Sequence, residues 1–272
     1  MQMIYNKLGC KFAFAQARTR MPIKRVHFYV QNQSIREEKN MNANVFGTNR
    51  NIDMVFCIDG TGSMSPCIEN VKANARRFHL DFASEMTNLG SEIDSMRIKV
   101  IVFRDYGCDG NNSMLESPFF ELPSDEAEFS SFLSGVTATG GGDASENGLE
   151  ALYLAMKSDF STGPKDRQVI VMFTDADALA LGERAGNPGY PMDMVDEDGF
   201  INTWACVGQD SSLKLREKTK RMVIFAPSGT KYEQLKSKLN RSIFSPVNDM
   251  SGLGDIDFSD IIKLLAASAS SV

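Results

Sequence analysis

The sequence contains little histidine, no paired cysteine motif and no long apolar run. Because His27 and His79 are its only histidines and His79 lies within a helical pattern, a Ser-His-Asp triad is not expected. The five cysteines are scattered and odd in number, which is typical of reduced thiols in a cytosolic protein and argues against a disulfide framework or a zinc site. No run of about 18 apolar residues is present, so no membrane-spanning helix is expected.

Charge is distributed unevenly along the chain. Residues 1–50 hold nine basic and two acidic side chains, a net charge of +7, whereas residues 51–272 hold 20 basic and 33 acidic ones, a net charge of −13. Nucleic acid binding requires a positive surface, so this acidic composition argues against nucleic acid as a partner. Carboxylates concentrated in this way are better suited to binding a cation.

The charge distribution predicts two regions, a basic N-terminal tail or extension over residues 1–50 and one folded domain over residues 51–272. The tail lacks the apolar core and cleavage site of a secretory signal. Its arginine-rich, acid-poor composition resembles an organelle transit peptide, and an over-extended start is the alternative, because Met21 and Met41 offer later starts. We expect little function in the tail and a cytoplasmic location for the protein.

The domain alternates apolar strands with amphipathic helices. Continuous or short apolar runs predict strands at residues 53–58, 97–103, 117–122, 168–173, 221–226 and 242–247. Apolar residues three and four apart predict helices at residues 66–89, 126–133, 145–156, 214–220, 232–239 and 258–267. This alternation predicts an α/β fold with a doubly wound, mostly parallel central sheet flanked by helices on both faces.

Ligands of such a sheet bind beyond the carboxyl ends of its strands, which directs attention to three loops. The first reads DGTGSM at residues 59–64, the second is a glycine-rich turn, TGGGDASE, at residues 139–146, and the third reads TDAD at residues 174–177. Carboxylate and hydroxyl oxygens are the ligands that Mg²⁺ and Ca²⁺ prefer. The candidate ligands in these loops are Asp59, Thr61, Ser63, Asp143, Glu146 and Asp175.

Each loop also has an ordinary structural explanation. Asp59 with Thr61 could form a capping turn, and Asp143, Ser145 or Asp175 could cap a helix. Three oxygen-rich loops at one edge of a sheet are much less expected by coincidence. We therefore predict a divalent metal site at this edge.

From about Asp53 to Ala267 the chain resembles a von Willebrand factor A-type (vWA) domain. The first loop resembles the Asp-x-Ser-x-Ser motif of the metal-ion-dependent adhesion site (MIDAS), with Thr61 in place of the first serine. The glycine turn is similar to the Asp-x-Pro-Glu motif of the branch that includes integrin β subunits, with Ser145 in place of the proline, and residues 174–176 match that branch too. Leu179 replaces a histidine of integrin β chains, which argues against a second, flanking metal site.

The resemblance implies roles for the candidate ligands. Thr61 and Ser63 would bind the ion through their hydroxyls, and Asp59 and Asp175 would act largely through bound water. Asp143 and Glu146 are alternatives for a further direct ligand, with Glu146 favoured. The ion is expected to be Mg²⁺, Mn²⁺ or Ca²⁺, with one position open for an acidic side chain of a partner protein.

The function that this resemblance implies is a non-enzymatic, metal-dependent protein-interaction module. Stand-alone domains that look like this one occur in bacterial signalling and stress systems, so such a role is the expectation here. The unusual segment at residues 186–204 is interpreted as a packed surface loop with a buried Trp204. The alternative is that it shapes the partner surface above the metal.

Two other functions remain as alternatives. Asp-Gly-Thr after an apolar strand also occurs in haloacid-dehalogenase-like phosphatases and phosphotransferases, but Cys57 stands where their nucleophilic aspartate lies. Their later lysine has no clear counterpart either. A calcium-dependent lipid-binding module is the second alternative, and the acidic composition of the domain makes an anionic membrane less attractive to it.

Overall fold

The computed structural model of the protein describes residues 48–142, 145–208, 212–247 and 257–271. Residues 1–47, nearly all of the predicted tail, lie outside the described residues, and so does Asp143, one of the candidate ligands. The first strand begins at Thr48, so the last three residues of the predicted tail are part of the sheet.

Apolar runs form the strands of the structure. Their bounds are β1 Thr48–Asp59, β2 Ser91–Phe103, β3 Met114–Glu116, β4 Phe120–Leu122, β5 Ser145–Glu146, β6 Asp166–Phe173, β7 Asp177–Ala178, β8 Lys220–Pro227 and β9 Ser242–Val247. All residues of β6 and β8 are buried, which is why these strands are apolar at consecutive positions instead of alternate ones.

Helices connect most of the strands. Their bounds are α1 Ser65–Asn88, α2 Tyr106–Asp109, α3 Glu126–Gly135, α4 Gly148–Met156, α5 Glu197–Trp204, α6 Lys231–Lys236 and α7 Phe258–Ser270, with short 3₁₀ turns at Gly62–Met64 and Gly110–Asn112. Pro66 lies in the first turn of α1, where its missing N–H costs no helical hydrogen bond. Among the described residues, no helix is both long and apolar enough to cross a membrane.

The central sheet has the strand order β3-β2-β1-β6-β8-β9, with β4 also paired to β2. Strands β2, β1, β6, β8 and β9 run parallel, and β3 and β4 run antiparallel to β2. The order reverses at β1, whose neighbours are β2 and β6, and this reversal places a crevice at the carboxyl ends of the strands. The predicted doubly wound, mostly parallel α/β fold is confirmed.

Two hydrophobic cores lie on opposite faces of the sheet. Alternate side chains of β1 divide between them, since Phe56 packs with α1, α3 and α7, and Val55 packs with α4, α5 and α6. Trp204 at the end of α5 is fully buried, and its indole N–H donates to the carbonyl of Asn240 at 2.7 Å. The expected burial of Trp204 is confirmed, although the segment that contains it forms a helix as well as loops.

Three elements differ from the sequence prediction. Of the strand expected at residues 117–122, only β4, Phe120–Leu122, is formed, and β3 ends before it at Glu116; Pro118 between them has no N–H to donate to a ladder. The helix expected at residues 214–220 is absent, and turns occupy this stretch up to Thr219. The buried side chain of Gln168 binds the amide of Arg216 and also the carbonyl of Lys214, which a helix would need for its own hydrogen bond.

Helix α4 begins at Gly148, three residues later than expected. The preceding residues, Ser145 and Glu146, form β5 and pair in parallel with β7. The amide of Leu179 donates to the carbonyl of Glu146 at 2.9 Å and extends this pairing. Glu146 therefore lies on extended backbone next to the third loop, and this placement determines its role in the site.

Candidate functional site

The first and third loops meet because β1 and β6 are adjacent parallel strands. Ile58 pairs with Phe173 in register, so the next residues, Asp59 and Thr174, leave the sheet side by side. Both are fully buried at the carboxyl edge of the sheet. The hydroxyl of Thr174 donates to Oδ2 of Asp59 at 2.7 Å.

The other carboxylate oxygen of Asp59 organises the first loop. Oδ1 accepts from the amide of Thr61 at 2.9 Å and from its hydroxyl at 2.7 Å. Burial raises the pKa of Asp59 to about 6, despite these hydrogen bonds and with a contribution from the charge of Asp175. Both oxygens of Asp59 are engaged by protein donors, so the geometry suits a residue that orients ligands more than one that binds an ion itself.

The hydroxyls of the first loop form a pair that faces the third loop. Oγ1 of Thr61 and Oγ of Ser63 are 3.3 Å apart, and Ser63 donates to Oδ1 of Asp175 at 3.1 Å. Oxygens that occupy neighbouring positions around one Mg²⁺ lie about 3 Å apart, given bonds of about 2.1 Å. Ser63 is exposed, so this pair is reachable from solvent.

The glycine-rich turn brings Glu146 to the same place. Gly141 of this turn packs against both Thr61 and Glu146, because a Cβ on Gly141 would lie 2.9 Å from Cγ2 of Thr61 and 3.1 Å from Oε1 of Glu146. Gly141 also has a φ of +78°, which favours glycine. The turn is tied back to α2, since the amide of Gly141 donates to Oδ2 of Asp109 at 3.1 Å.

Glu146 is the most unusual carboxylate of the site. It is 2% exposed, and its Oε2 is buried with no hydrogen-bond partner among the described residues. Burial, together with the negative charges of Asp59, Asp105, Asp109 and Asp175, raises the pKa of Glu146 to about 8.

These residues fit a divalent cation. A buried, unpaired carboxylate surrounded by other carboxylates is unfavourable in its charged form, and a bound cation would remove that cost. Among the described residues, no group of three or more histidine, cysteine, aspartate or glutamate side chains is placed to hold a metal. The described side chains that could ligate an ion directly are accordingly the hydroxyls of Thr61 and Ser63 and the carboxylate of Glu146.

Arg104 holds the first loop and the glycine turn together, although it was not among the residues predicted for the site. This side chain, 8% exposed, follows β2. Its Nε donates to the carbonyls of Gly60 at 3.1 Å and Thr139 at 2.7 Å, and two further bonds reach the carbonyls of Asn112 and Thr137. The first loop and the glycine turn are therefore fastened to one guanidinium. A charged residue directly after a buried strand was the available signal.

The structure thus brings five of the six predicted site residues to one edge of the sheet. Hydrogen bonds link Asp59, Thr61, Ser63 and Asp175 into a chain. Glu146 lies close to Thr61, and Gly141 packs against both. The sixth, Asp143, lies outside the described residues.

A comparison with protein families relates this part of the chain to a known domain. The family model described as von Willebrand factor type A domain matches residues 54–178, a span that contains all three loops. No curated protein matches the chain.

Several solved structures are similar to the chain at low identity. The pilus adhesin SpaC from Lactobacillus rhamnosus GG is 10% identical, with a TM-score of 0.46, over 81% of this chain and 30% of the adhesin. Proximal thread matrix protein 1 from the mussel byssus is 15% identical, with a TM-score of 0.40, over 83% of this chain and 49% of that protein. The chain thus spans less than half of the length of either protein.

Proposed function

Because the chain contains a von Willebrand factor type A domain that includes residues 54–178, we propose that it is a metal-dependent protein-interaction module. It would bind Mg²⁺, Mn²⁺ or Ca²⁺ at the edge of the sheet and, through that ion, an acidic side chain of a partner protein. The family supports the coarser part of this statement, a protein-interaction module. The metal and the acidic partner are the proposal.

The observation that carries the proposal is the buried oxygen of Glu146. Oε2 has no partner among the described residues, although unpaired buried polar atoms are uncommon and costly. Thr61 of the hydroxyl pair lies close to Glu146, since a single Cβ on Gly141 would approach Cγ2 of Thr61 to 2.9 Å and Oε1 of Glu146 to 3.1 Å. A cation that contacts both Glu146 and the hydroxyl pair would satisfy the carboxylate and use the hydroxyls as ligands.

Each residue of the site has a defined part in this function. Thr61, Ser63 and Glu146 would hold the ion, and Asp59 and Asp175 would orient the two hydroxyls through the hydrogen bonds already described. A bound divalent cation supplies a positive centre that attracts a partner's carboxylate. Since Ser63 and residues 139–142 of the glycine turn are exposed, a partner has access to this side of the ion.

A binding function is favoured over the phosphatase alternative by Cys57. This residue stands at the position of the phosphatase nucleophile, yet it is fully buried on the α4 face of the sheet. Its thiol donates to the carbonyl of Ala151 at 3.6 Å, and burial raises its pKa far above the usual range. A protonated, inaccessible thiol cannot serve as a nucleophile.

The experiment that tests the metal is a Mg²⁺ titration followed by thermal unfolding. The wild type is expected to gain stability with rising Mg²⁺, as any ligand of the folded state requires. Ser63→Ala and Asp175→Ala are expected to lose most of this gain. Ser237→Ala, an exposed serine of the turn after α6, serves as the control and should respond as the wild type does. Equal stabilisation of all four proteins would refute the site.

The partner requires a separate experiment. We expect a pull-down from lysate to retain a protein in the presence of Mg²⁺ and to lose it with EDTA or in Ser63→Ala. Phosphatase turnover that disappears in Asp59→Asn would instead support the enzymatic alternative.

A further inference from the structure

Two residues of the segment after β7 contact elements that lie next to Glu146. We call residues 182–190 the arm. Arg184 of the arm binds Asp105 in the loop that follows β2, and Tyr190 contacts Tyr106 of α2 and Glu150 of α4. Neither residue belongs to the proposed metal ligands.

Arg184 forms a two-pronged ion pair with Asp105. Nε and one terminal nitrogen of Arg184 lie 2.7 Å from Oδ1 and Oδ2 of Asp105, respectively. Asp105 is fully buried, and its Oδ1 also accepts from the amide of Gly107 at 2.8 Å at the start of α2. A bidentate pair of this kind restrains both position and orientation of the carboxylate.

The ion pair is connected to Glu146 through the next residue. The amide of Tyr106 donates to Oδ1 of Asn147 at 2.9 Å, and Asn147 directly follows Glu146. Asn147 is fully buried, so this bond joins two segments inside the protein. Movement of Asp105 would therefore displace the backbone that carries the Glu146 carboxylate.

Tyr190 supports the same region from the opposite direction. Its ring packs edge-on against the ring of Tyr106 with centroids 5.1 Å apart. Its hydroxyl donates to Oε1 of the fully buried Glu150 at 3.0 Å and accepts from the amide of Gly182 at 2.9 Å. Glu150 lies in the first turn of α4, four residues after Glu146.

We propose that Arg184 and Tyr190 are positioning residues, which hold the Glu146 carboxylate where the divalent cation binds. The reason is that Oε2 of Glu146 has no hydrogen bond of its own within the described residues, so its location depends on the backbone on both sides. Outer contacts of this type set the affinity of metal sites. The inference rests on the proposed function, since it assigns a further determinant of the same site.

The test compares four variants by calorimetric titration with Mn²⁺ and by amide hydrogen exchange without metal. Arg184→Ala is expected to weaken Mn²⁺ binding by about tenfold, within the range for outer-contact mutations. Arg184→Lys keeps the positive charge but loses the two-pronged contact of the guanidinium with the carboxylate. Its Mn²⁺ affinity should lie between those of Arg184→Ala and the wild type. Tyr190→Phe removes the bond to Glu150 and should weaken binding as well.

The fourth variant, Asp193→Asn, is the matched control. Asp193 lies just beyond the arm and pairs with Lys157 after α4, a contact that does not reach Glu146. Its Mn²⁺ affinity should equal that of the wild type. Without metal, the amide hydrogens of residues 145–150 should exchange faster in Arg184→Ala and Tyr190→Phe than in the wild type. In Asp193→Asn their exchange should be unchanged.

The outcomes separate this inference from the proposed function. Unchanged Mn²⁺ affinity in both Arg184→Ala and Tyr190→Phe would overturn the positioning role while the metal site stands. If the wild type binds no Mn²⁺, the proposed function fails, and the exchange of residues 145–150 decides whether the arm positions Glu146. If Arg184→Ala does not fold, which the absence of a thermal unfolding transition would show, Tyr190→Phe tests the positioning role. The same two measurements, Mn²⁺ calorimetry and amide hydrogen exchange, then apply to Tyr190→Phe.

Discussion

The hydroxyl of Thr174 donates to Oδ2 of Asp59 at 2.7 Å, and this bond joins the ends of two adjacent parallel strands. Both side chains are fully buried. Because Oδ1 of Asp59 is occupied by Thr61, Thr174 is what satisfies the second oxygen. The bond therefore supports both the fold at this edge and the direction in which Asp59 presents its carboxylate.

Replacement of Thr174 by valine is expected to destabilise the metal-free protein by about 1–3 kcal/mol, the cost of a buried oxygen left without a donor. Urea unfolding followed by the fluorescence of Trp204, a buried reporter and the only tryptophan, measures this change. Thr174→Ser keeps the hydroxyl and should cost less. A larger loss in Thr174→Ser, which lacks only the methyl, than in Thr174→Val would show that methyl packing, and not the bond to Asp59, is responsible.

The raised pKa of Glu146 predicts a pH dependence of metal binding. Burial and the neighbouring carboxylates hold its pKa at about 8, so the carboxyl binds a proton at pH 7 that a cation must displace. Mg²⁺ affinity should rise from pH 6 to pH 8, and binding at pH 7 should release protons. Calorimetry in buffers of different ionisation enthalpy measures the release, which should decrease in Glu146→Gln if that variant still binds.

The same pKa predicts how the stability of the metal-free protein depends on pH. Because the folded pKa is above that of the unfolded chain, the folded state binds more protons between the two values. The stability contributed by Glu146 is then fully present below pH 4.5 and is lost as the pH rises to about 8. Glu146→Gln should lose less stability over this interval, and an identical pH profile for both proteins would contradict the assignment.

Gly141 is expected to tolerate no side chain. Alanine at this position combines an unfavourable φ of +78° with contacts of 2.9 Å to Thr61 and 3.1 Å to Glu146. We expect Gly141→Ala to lower both thermal stability and Mg²⁺ affinity. Gly90→Ala is the control, since Gly90 has a φ of +75° but no atom within 4 Å of the added carbon. Gly90→Ala should lose thermal stability and keep the Mg²⁺ affinity of the wild type. Reduced Mg²⁺ affinity in Gly90→Ala would contradict a local effect of Gly141 at the site.

Arg221 is expected to anchor the last helix. The guanidinium, 3% exposed, donates to the carbonyls of Ser268 at 3.1 Å and Ser271 at 2.7 Å, which are among the carbonyls that a helix end leaves unpaired. Arg221→Met should lose about 1–3 kcal/mol in urea unfolding and exchange the amides of α7 faster. Lys263→Met, at an exposed position of α7, is the control, and equal effects in both would refute the anchor.

Much of the fold was predictable from local pattern. The strands at residues 53–58, 97–103, 168–173 and 221–226 lie within β1, β2, β6 and β8, because strands buried on both faces require consecutive apolar residues. The absence of the helix expected at residues 214–220 was not predictable, since Gln168, about 50 residues away in the chain, binds the carbonyl of Lys214 and the amide of Arg216. The late start of α4 likewise results from the pairing of β5 with β7.

The candidate site divides in the same way. The sequence alone determined which loops follow the parallel strands, and with them the oxygen-rich residues Asp59, Thr61, Ser63 and Asp175, because strand ends and loop composition are local properties. It did not reveal Arg104, which binds Thr139 35 residues away.

The arm shows the same limit over a longer distance. Arg184 and Asp105 are 79 residues apart in the chain, and nothing in either local sequence indicates that they pair. Local sequence determined the spacing of apolar residues that predicts strands and helices, and it determined which chemical groups the loops carry. The tertiary structure decided which buried polar groups meet, because those partners are set by strand register and by the docking of distant loops against one sheet edge.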